Sequence, residues 1–312
     1  MRRLLLDAGQ TGIRARVAEE GVVIDTTLGP LRTSESIPEQ IVNAVGSVLE
    51  GSPVDTTVSC AISGLTDPER LARHVVARSS GLGVVRVLVA HDSVTSYLAC
   101  VGRDHGAVIA AGTGVVTLAV GPTGQARIDG WGNIMGDSGS GYWIGQAGLE
   151  AAMRAHDGRG PHTSLLDALR RDFPDPELAY VSFQSDPNRI ARVASFAHNV
   201  LDSIQQDAVA ARIARAAASE LALSVTTGLK RTGWSPQDSP VISWSGGVMK
   251  NPFIREQLEV ALRQAWPAAA VVAPRGDPLD GVALLGVIPA DHPLSSSITA
   301  SGNRRSTPIE GR

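Results

Sequence analysis

Two aspartates, two small-residue turns and one glycine-dense loop are the parts of this 312-residue chain whose types and spacing could do chemistry. Asp92 follows the apolar run 84–90, inside His91-Asp92-Ser93. A carboxylate at a strand end can take the proton from an attacking hydroxyl. It can equally be a helix N-cap, worth about 0.5–2 kcal/mol, and the two roles do not exclude each other. Asp7 ends another apolar run and is followed by Ala8-Gly9-Gln10-Thr11-Gly12. Such a turn lets backbone N–H groups and the Thr11 hydroxyl reach a phosphate, while the preceding carboxylate can hold a hydrated Mg2+. Gly112-Thr113-Gly114 repeats the device, and Ser245-Gly246-Gly247 places a glycine pair after a strand, where it could lie against an adenine face. Ordinary turns use the same residues, so it is the ordered set that carries the argument.

The densest stretch is 129–145, Asp129-Gly130-Trp131-Gly132-Asn133-Ile134-Met135-Gly136-Asp137-Ser138-Gly139-Ser140-Gly141-Tyr142-Trp143-Ile144-Gly145. Glycine costs backbone entropy, so six in seventeen residues imply positive φ or close approach of the backbone to something. The run passes into an alanine-rich segment that reads as a helix over 144–156. A glycine loop opening a helix presents unpaired N–H groups to an anion or a sugar hydroxyl. Trp131 could wall an apolar sugar face, and Asp137 could accept from its hydroxyls. The plain alternative is a tight turn with tryptophans in the core. Gly136-Asp137-Ser138-Gly139 also looks like the nucleophile string of trypsin-like proteases, but the composition and order of such a chain are missing. There is no G-x-S-x-G elbow, and no G-x-x-x-x-G-K-[ST] phosphate loop.

These groups need a scaffold. Residues 3–28 read as strand, hairpin, strand, strand, and 36–50 as a helix capped by Ser34 or Ser36. A buried strand follows at 56–62, then a helix capped by Asp67 with Pro68 at its first position, a strand at 84–90, and a helix over 94–101. At Ala107 the pattern restarts: strand 107–111, the Gly112–Gly114 turn, strand 115–120 and a short strand to Ile128. That repetition indicates an internal duplication. Helices dominate 144–233. A strand at 241–244, a helix at 251–264, a strand at 269–273 and a helix at 277–287 complete the pattern. The expected division is a first domain over 1–105, a second over 106–292 with a helical insertion, and a polar, disordered tail over 293–312. Ile309-Glu310-Gly311-Arg312 is the recognition string of a laboratory processing protease and reads as a tag remnant.

Bulk properties narrow the class. At 43% hydrophobic the chain can bury real cores, and a net charge of −3 without basic blocks gives no case for a nucleic-acid partner. Cys60 and Cys100 have neither metal nor disulfide spacing and read as buried thiols in a reducing compartment. No signal-peptide core and no run of about 18 apolar residues is present, so the expected location is cytoplasmic with no membrane partner.

Taken together, Asp7-Ala-Gly-Gln-Thr-Gly12, His91-Asp92, Gly112-Thr-Gly114, Gly130-Trp-Gly132, Gly136-Asp-Ser-Gly-Ser-Gly141-Tyr-Trp-Ile-Gly145 and Ser245-Gly-Gly247 resemble the BadF/BadG/BcrA/BcrD ATPase family. Within it they resemble its N-acetylglucosamine kinases, in the wider group of sugar kinases, heat-shock ATPases and actin. The resemblance spans about 1–290. It implies an α/β fold of two duplicated ribonuclease-H-like domains, with ATP and an amino sugar bound in the cleft between them, and a homodimer. It implies Asp92 as catalytic base transferring phosphate to the sugar 6-hydroxyl. His91, Asp92, Trp131, Gly132, Asp137 and Gly141 would line the sugar site. Gly9, Thr11, Gly12, Gly112, Thr113, Gly114, Gly246 and Gly247 would meet ATP, and Asp7 would organise Mg2+. Two positions depart from the pattern: His91 stands where Asn is common, and Ser138 where Glu is common, and both bear on which sugar fits. The other branch of the family, activators of iron–sulfur dehydratases, carries cysteines in the second domain, whereas Cys60 and Cys100 lie in the first. A sensor that binds sugar or ATP without transfer is the third alternative.

Overall fold

The computed structural model describes residues 2–9, 12–32, 34–49 and 53–302. In chain order its elements are β1 (Arg2–Gly9), β2 (Gly12–Glu19), β3 (Val22–Leu28), α1 (Ile37–Val48), β4 (Thr56–Ile62), α2 (Pro68–Ser79), β5 (Val84–His91) and α3 (Asp92–Val101). Next come β6 (Gly106–Ala111), β7 (Val115–Gly121), β8 (Gly124–Asp129), α4 (Gly141–His156), α5 (Ser164–Asp172), α6 (Ala179–Ser185), α7 (Arg189–Ser195), α8 (Ala197–Asp202) and α9 (Ala208–Arg231). The chain closes with β9 (Val241–Ser245), α10 (Pro252–Ala265), β10 (Ala270–Val271), α11 (Pro278–Leu284) and β11 (Thr299–Gly302).

The chain forms two compact units. One runs to Arg103 and resumes at Arg275; the other is Asp104–Pro274. In the first unit the sheet order is β11-β5-β4-β1-β2-β3. β1, β2 and β3 form an antiparallel meander, while β4 and β5 run parallel to β1. In the second unit the order is β10-β9-β6-β7-β8, again an antiparallel meander of β6, β7 and β8 with β9 parallel to β6 and β10 parallel to β9. Apart from the added edge strand β11, the two strand orders and directions correspond one to one, which is the ribonuclease-H-like pattern present twice, and the duplication read from element order is real in the topology. Parallel strands need crossover helices. α1 and α2 supply them in the first unit, α4–α9 between β8 and β9, and α10 between β9 and β10.

Each sheet has its own core. Leu4, Leu6, Val58, Cys60 and Val89 pack with Ile41, Val45, Leu71 and Val75 in the first unit. Ile109, Val115, Ile144, Leu221, Val225, Ile242, Leu258 and Trp266 pack in the second. Every residue of β4 is buried, as expected for a central strand covered on both faces. The spacing of apolar residues along 209–229 indicates core rather than a binding face, and Val209, Ile213, Leu221, Val225 and Leu229 are indeed buried.

Several expectations are corrected. The second unit ends at Pro274, not 292: α11 packs on α3 and β1 of the first unit, and Arg275 and Gly276 donate backbone hydrogen bonds to Cys100 O (3.1 Å) and Ala99 O (2.9 Å). The expected disordered tail from 293 is ordered as far as it is described: residues 293–297 form a 3-10 turn and β11 pairs antiparallel with β5, hydrogen-bonding an edge that would otherwise be open. The tag-like string 309–312 lies outside the described residues. Asp67 does cap α2, accepting from Arg70 N at 2.9 Å. Ser36 occupies the N-cap position of α1, but its side chain makes no capping bond. Among the described residues no helix is long and apolar enough to cross a membrane.

Candidate active site

In the first unit the parallel register of β1, β4 and β5 brings Ala8, Ile62 and His91 to one edge of the sheet. That carboxyl-end edge is where open α/β sheets hold ligands. Asp7 lies directly opposite Arg14 in the β1–β2 register, and Arg14 Nη2 donates to Asp7 Oδ2 at 2.6 Å. Burial pushes the Asp7 carboxyl above its ordinary range. Arg14 pulls it back down, and the charges of Asp92 and Asp277 push it up again. Burial is the largest of these influences, and the half-exposed Arg14 only partly offsets it. Gly9 and Gly12 pair with each other across the hairpin and are half-buried. Thr11, the predicted phosphate-facing hydroxyl, lies outside the described residues.

The β5–α3 junction differs from the expectation. α3 begins at Asp92 rather than Val94, and its N-cap is His91, whose Nδ1 accepts from Ser93 N at 3.2 Å. Asp92 is the first helical residue, so its carboxylate is not consumed in capping. Its side chain is 38% exposed, with Oδ1 2.8 Å from His91 Nδ1. An anion in the first turn of a helix is favoured by the helix dipole. His91 Nδ1 is also 2.9 Å from Ser93 Oγ. Unprotonated, that nitrogen accepts from Ser93; protonated, it donates to Asp92.

In the second unit the Gly112-Thr113-Gly114 turn is fastened to the start of α4. Gly112 N donates to Gly114 O (2.9 Å), Gly141 N to Gly112 O (2.8 Å) and Tyr142 N to Thr113 O (3.0 Å). The Thr113 side chain stays exposed. Gly141 is buried, and a Cβ there would lie 3.0 Å from Gly112 O, so this glycine answers to close packing against the turn. Asp137 is only 8% exposed, has a φ of 62°, and accepts from Val115 N at 3.2 Å. A Cβ on Gly114 would stand 2.8 Å from Asp137 Oδ2. Burial raises the Asp137 carboxyl, the Val115 amide opposes that, and the Asp129 charge adds to the rise.

Trp131 is 60% exposed with Arg127 stacked 5.1 Å from its ring centroid. Gly132 adopts a φ of 79° with open space where a side chain would be. Gly246 also has positive φ (94°), and a Cβ would collide with the backbone of Ala111 at the end of β6. Gly247 faces open space instead. Of the predicted residues, then, Asp7, Gly9, Gly12, His91 and Asp92 gather in the first unit. Gly112, Thr113, Gly114, Trp131, Gly132, Asp137 and Gly141 gather in the second, with Gly246 and Gly247 at the end of the strand that pairs with β6.

Three residues enter the site only through the structure. Arg14 pairs with Asp7 across the hairpin. Arg127 donates to Asp129 O at 3.3 Å and to Gly130 O. Asp129 Oδ1 accepts from Gly130 N (2.7 Å), Asp137 N (2.8 Å) and, more weakly, Trp131 N (3.5 Å), while Oδ2 accepts from Ser138 N (3.1 Å). The only sequence signal for this hub is a carboxylate at the mouth of a glycine loop.

The family model described as the BadF/BadG/BcrA/BcrD ATPase family matches residues 6–286. The chain belongs to that family. A relative named N-acetylmuramic acid/N-acetylglucosamine kinase, from Clostridium acetobutylicum, is 24% identical over 299 residues, covering 90% of this chain and 96% of the relative. Among solved structures, a candidate N-acetylglucosamine kinase from Chromobacterium violaceum is 26% identical with a TM-score of 0.71, covering 91% of this chain and 98% of that one. A second such candidate, from Porphyromonas gingivalis, has a TM-score of 0.68 at 18% identity, covers 89% of this chain and 96% of that one, and supports the fold alone. The fold is of the actin-like ATPase type, with two ribonuclease-H-like units, each built on its own mixed sheet.

Proposed function

We propose that this family member is an ATP-dependent kinase that phosphorylates the 6-hydroxyl of an amino sugar, N-acetylglucosamine or glucosamine foremost. The observation that carries the reading is the division of labour at the β5–α3 junction. His91 caps the helix, and Asp92 presents a half-exposed carboxylate at the sheet edge. The names of the relatives point the same way.

Asp92 accepts the proton of the attacking hydroxyl, and the transferred phosphoryl group is stabilised by position and charge rather than by covalent chemistry. In the first unit the role of base falls to Asp92, beside the hairpin of Gly9 and Gly12. Within the second unit, the Gly112–Gly114 turn and the open face of Gly247 would meet nucleotide, and the loop bearing Trp131, Gly132 and Asp137 would meet sugar. Asp7 fits a cation: its carboxylate is pushed up by burial and by neighbouring negative charge, which a divalent ion would relieve. Mg2+ characteristically takes one or two carboxylates plus waters and phosphates, so a single protein ligand is in keeping with it. When bound there it would neutralise developing phosphate charge. Arg14, paired with Asp7 here, is the cation it would compete with.

The dehydratase-activator alternative finds no support in the thiols. Both cysteines are buried in the first unit, and burial drives Cys60 up to about 12, which disfavours the thiolate a cluster needs. A coupled assay of ADP release over a panel of amino sugars tests the proposal. Sugar-dependent release is expected with N-acetylglucosamine or glucosamine among the best acceptors; sugar-independent release across the panel would replace it with the ATPase or sensor reading.

A further inference from the structure

The loop 130–138 has no regular secondary structure apart from a short turn, yet it must hold Asp137 and Trp131 in place if it is to read a sugar. Its internal ties are few. Met135 N and Gly136 N both donate to Gly132 O, at 3.2 and 2.8 Å, which folds the tip back. Both ends of the loop then converge on one side chain. Asp129 takes the amides of Gly130 and Trp131 at the loop's start and those of Asp137 and Ser138 at its end. Asp129 itself has a φ of 60°, a region that costs any residue with a Cβ. A Cβ on Gly136 would collide with Asp129 Oδ1, so the glycine makes room for the carboxylate. Arg127 holds the backbone of the same corner from the other side and stacks on Trp131.

We propose that Asp129 is a positioning residue for sugar recognition. Its carboxylate closes the 130–138 loop like a clasp, fixing Asp137 against the Gly114–Val115 turn and Trp131 over Arg127. The argument rests on the sugar-kinase reading above. Strain at Asp129 is retained because the side chain does something glycine could not: it satisfies two well-aligned amides through one oxygen and a third through the other. Hydrogen bonds to a charged acceptor are roughly twice as strong as neutral ones.

Asp129→Gly tests this, because glycine accepts the positive φ while the carboxylate is lost, and Asp129→Asn, which keeps Cβ, controls for the added backbone freedom. The full-length chain, Asp129→Gly and Asp129→Asn are compared by amide hydrogen exchange, by calorimetric titration with N-acetylglucosamine and glucosamine, and by steady-state kinetics. For Asp129→Gly the expected result is at least about tenfold faster exchange at Asp137 and Ser138 and at least about tenfold weaker sugar binding. KM for ATP should stay within about twofold, and the thermal midpoint should fall with the lost hydrogen bonds while the variant remains folded at the temperature of the titration. Asn keeps one acceptor oxygen and should recover part of the sugar affinity. If wild type binds sugar and Asp129→Gly binds it equally well, or exchange at 137 and 138 is unchanged, the positioning role is overturned while the kinase reading stands. If wild type binds neither sugar in the titration, the kinase reading falls and this inference falls with it.

Discussion

His91 caps the helix of which Asp92 is the first residue. The ring nitrogen that meets the Ser93 amide at 3.2 Å lies 2.8 Å from the Asp92 carboxylate. The capping bond and the half-exposed carboxylate at this junction therefore belong to different side chains, and the cap can be removed separately from the carboxylate proposed as base.

Asp92→Asn should cut kcat by about 10²–10⁴-fold, the usual worth of a positioned general base, and leave sugar affinity largely intact. Its stability should fall by no more than about 0.3–1 kcal/mol, the worth of an anion in a first helical turn, since no capping bond is lost. His91→Ala should cost about 1 kcal/mol from the lost cap, and His91→Asn, a good capping residue, should restore it. Turnover, sugar titration and denaturant unfolding on the three variants check this. Unchanged turnover in Asp92→Asn would remove that residue from the mechanism.

Asp137 is buried against the Val115 amide. Burial holds its carboxyl above the ordinary range, so the ionised form is a cost to the fold. That cost is present at neutral pH and is relieved as pH falls through the raised value. Asp137→Asn tolerates the positive φ and keeps an oxygen for the Val115 amide. The variant should thus be at least as stable as wild type at pH 7, with the difference shrinking toward pH 4, while sugar binding weakens at least about tenfold. Melting curves from pH 4 to 8 and sugar titrations measure both. A large loss of stability at pH 7 would contradict the assignment.

The neighbouring glycines 246 and 247 should behave oppositely. Gly246→Ala forces a Cβ into the Ala111 backbone at a positive φ and should destabilise by about 3 kcal/mol or more. Gly247→Ala meets open space and should leave the melting temperature unchanged while raising KM for ATP, if the methyl group occupies the face proposed to meet the nucleotide. An unaltered KM for ATP would detach Gly247 from the nucleotide.

Asp207 ties together two helix starts of the second unit. Burial works to raise its carboxyl, but the Thr163 and Ser164 hydroxyls and the amides of Ser164 and Ala210 overcome this and bring it to about 2. It accepts from Thr163 Oγ1 at 2.6 Å and from Val209 N at 2.8 Å, joining the starts of α5 and α9. A carboxyl lowered from about 4 to about 2 contributes about 2 kcal/mol that is present above pH 4 and lost as pH falls toward 2. Asp207→Asn should therefore lose about 2 kcal/mol at pH 7, and its stability should converge on that of wild type in acid. Urea unfolding at pH 7, 4 and 2.5 follows the convergence; parallel curves would show that the carboxylate's charge is not what stabilises the joint.

Local chemistry was legible in the sequence. Alternation and apolar runs gave β1–β5 and β6–β9, because a half-buried or buried strand shows its environment in its own residues. Asp67 before Pro68 marked the start of α2, and the repeated order of elements revealed the duplication. The glycine count of 129–145 announced a special backbone, and the structure bears out the reason: Gly130, Gly132 and Gly139 take positive φ, while Gly141 and Gly145 admit neighbouring backbone.

What the tertiary structure decided is what depends on partners distant in sequence. Thr299 reaches Val89 as an edge strand, and α11 packs on α3, because each satisfies groups that only the folded first unit presents. A polar tail and a final helix carry no mark of which unit will take them. The same holds for Asp129: its type permits many roles, and only the folding back of the loop brings the amides of Asp137 and Ser138, eight and nine residues away, onto its two oxygens. Residue chemistry set the list of available donors and acceptors, and chain closure chose which of them meet, since hydrogen bonds act only at contact distance.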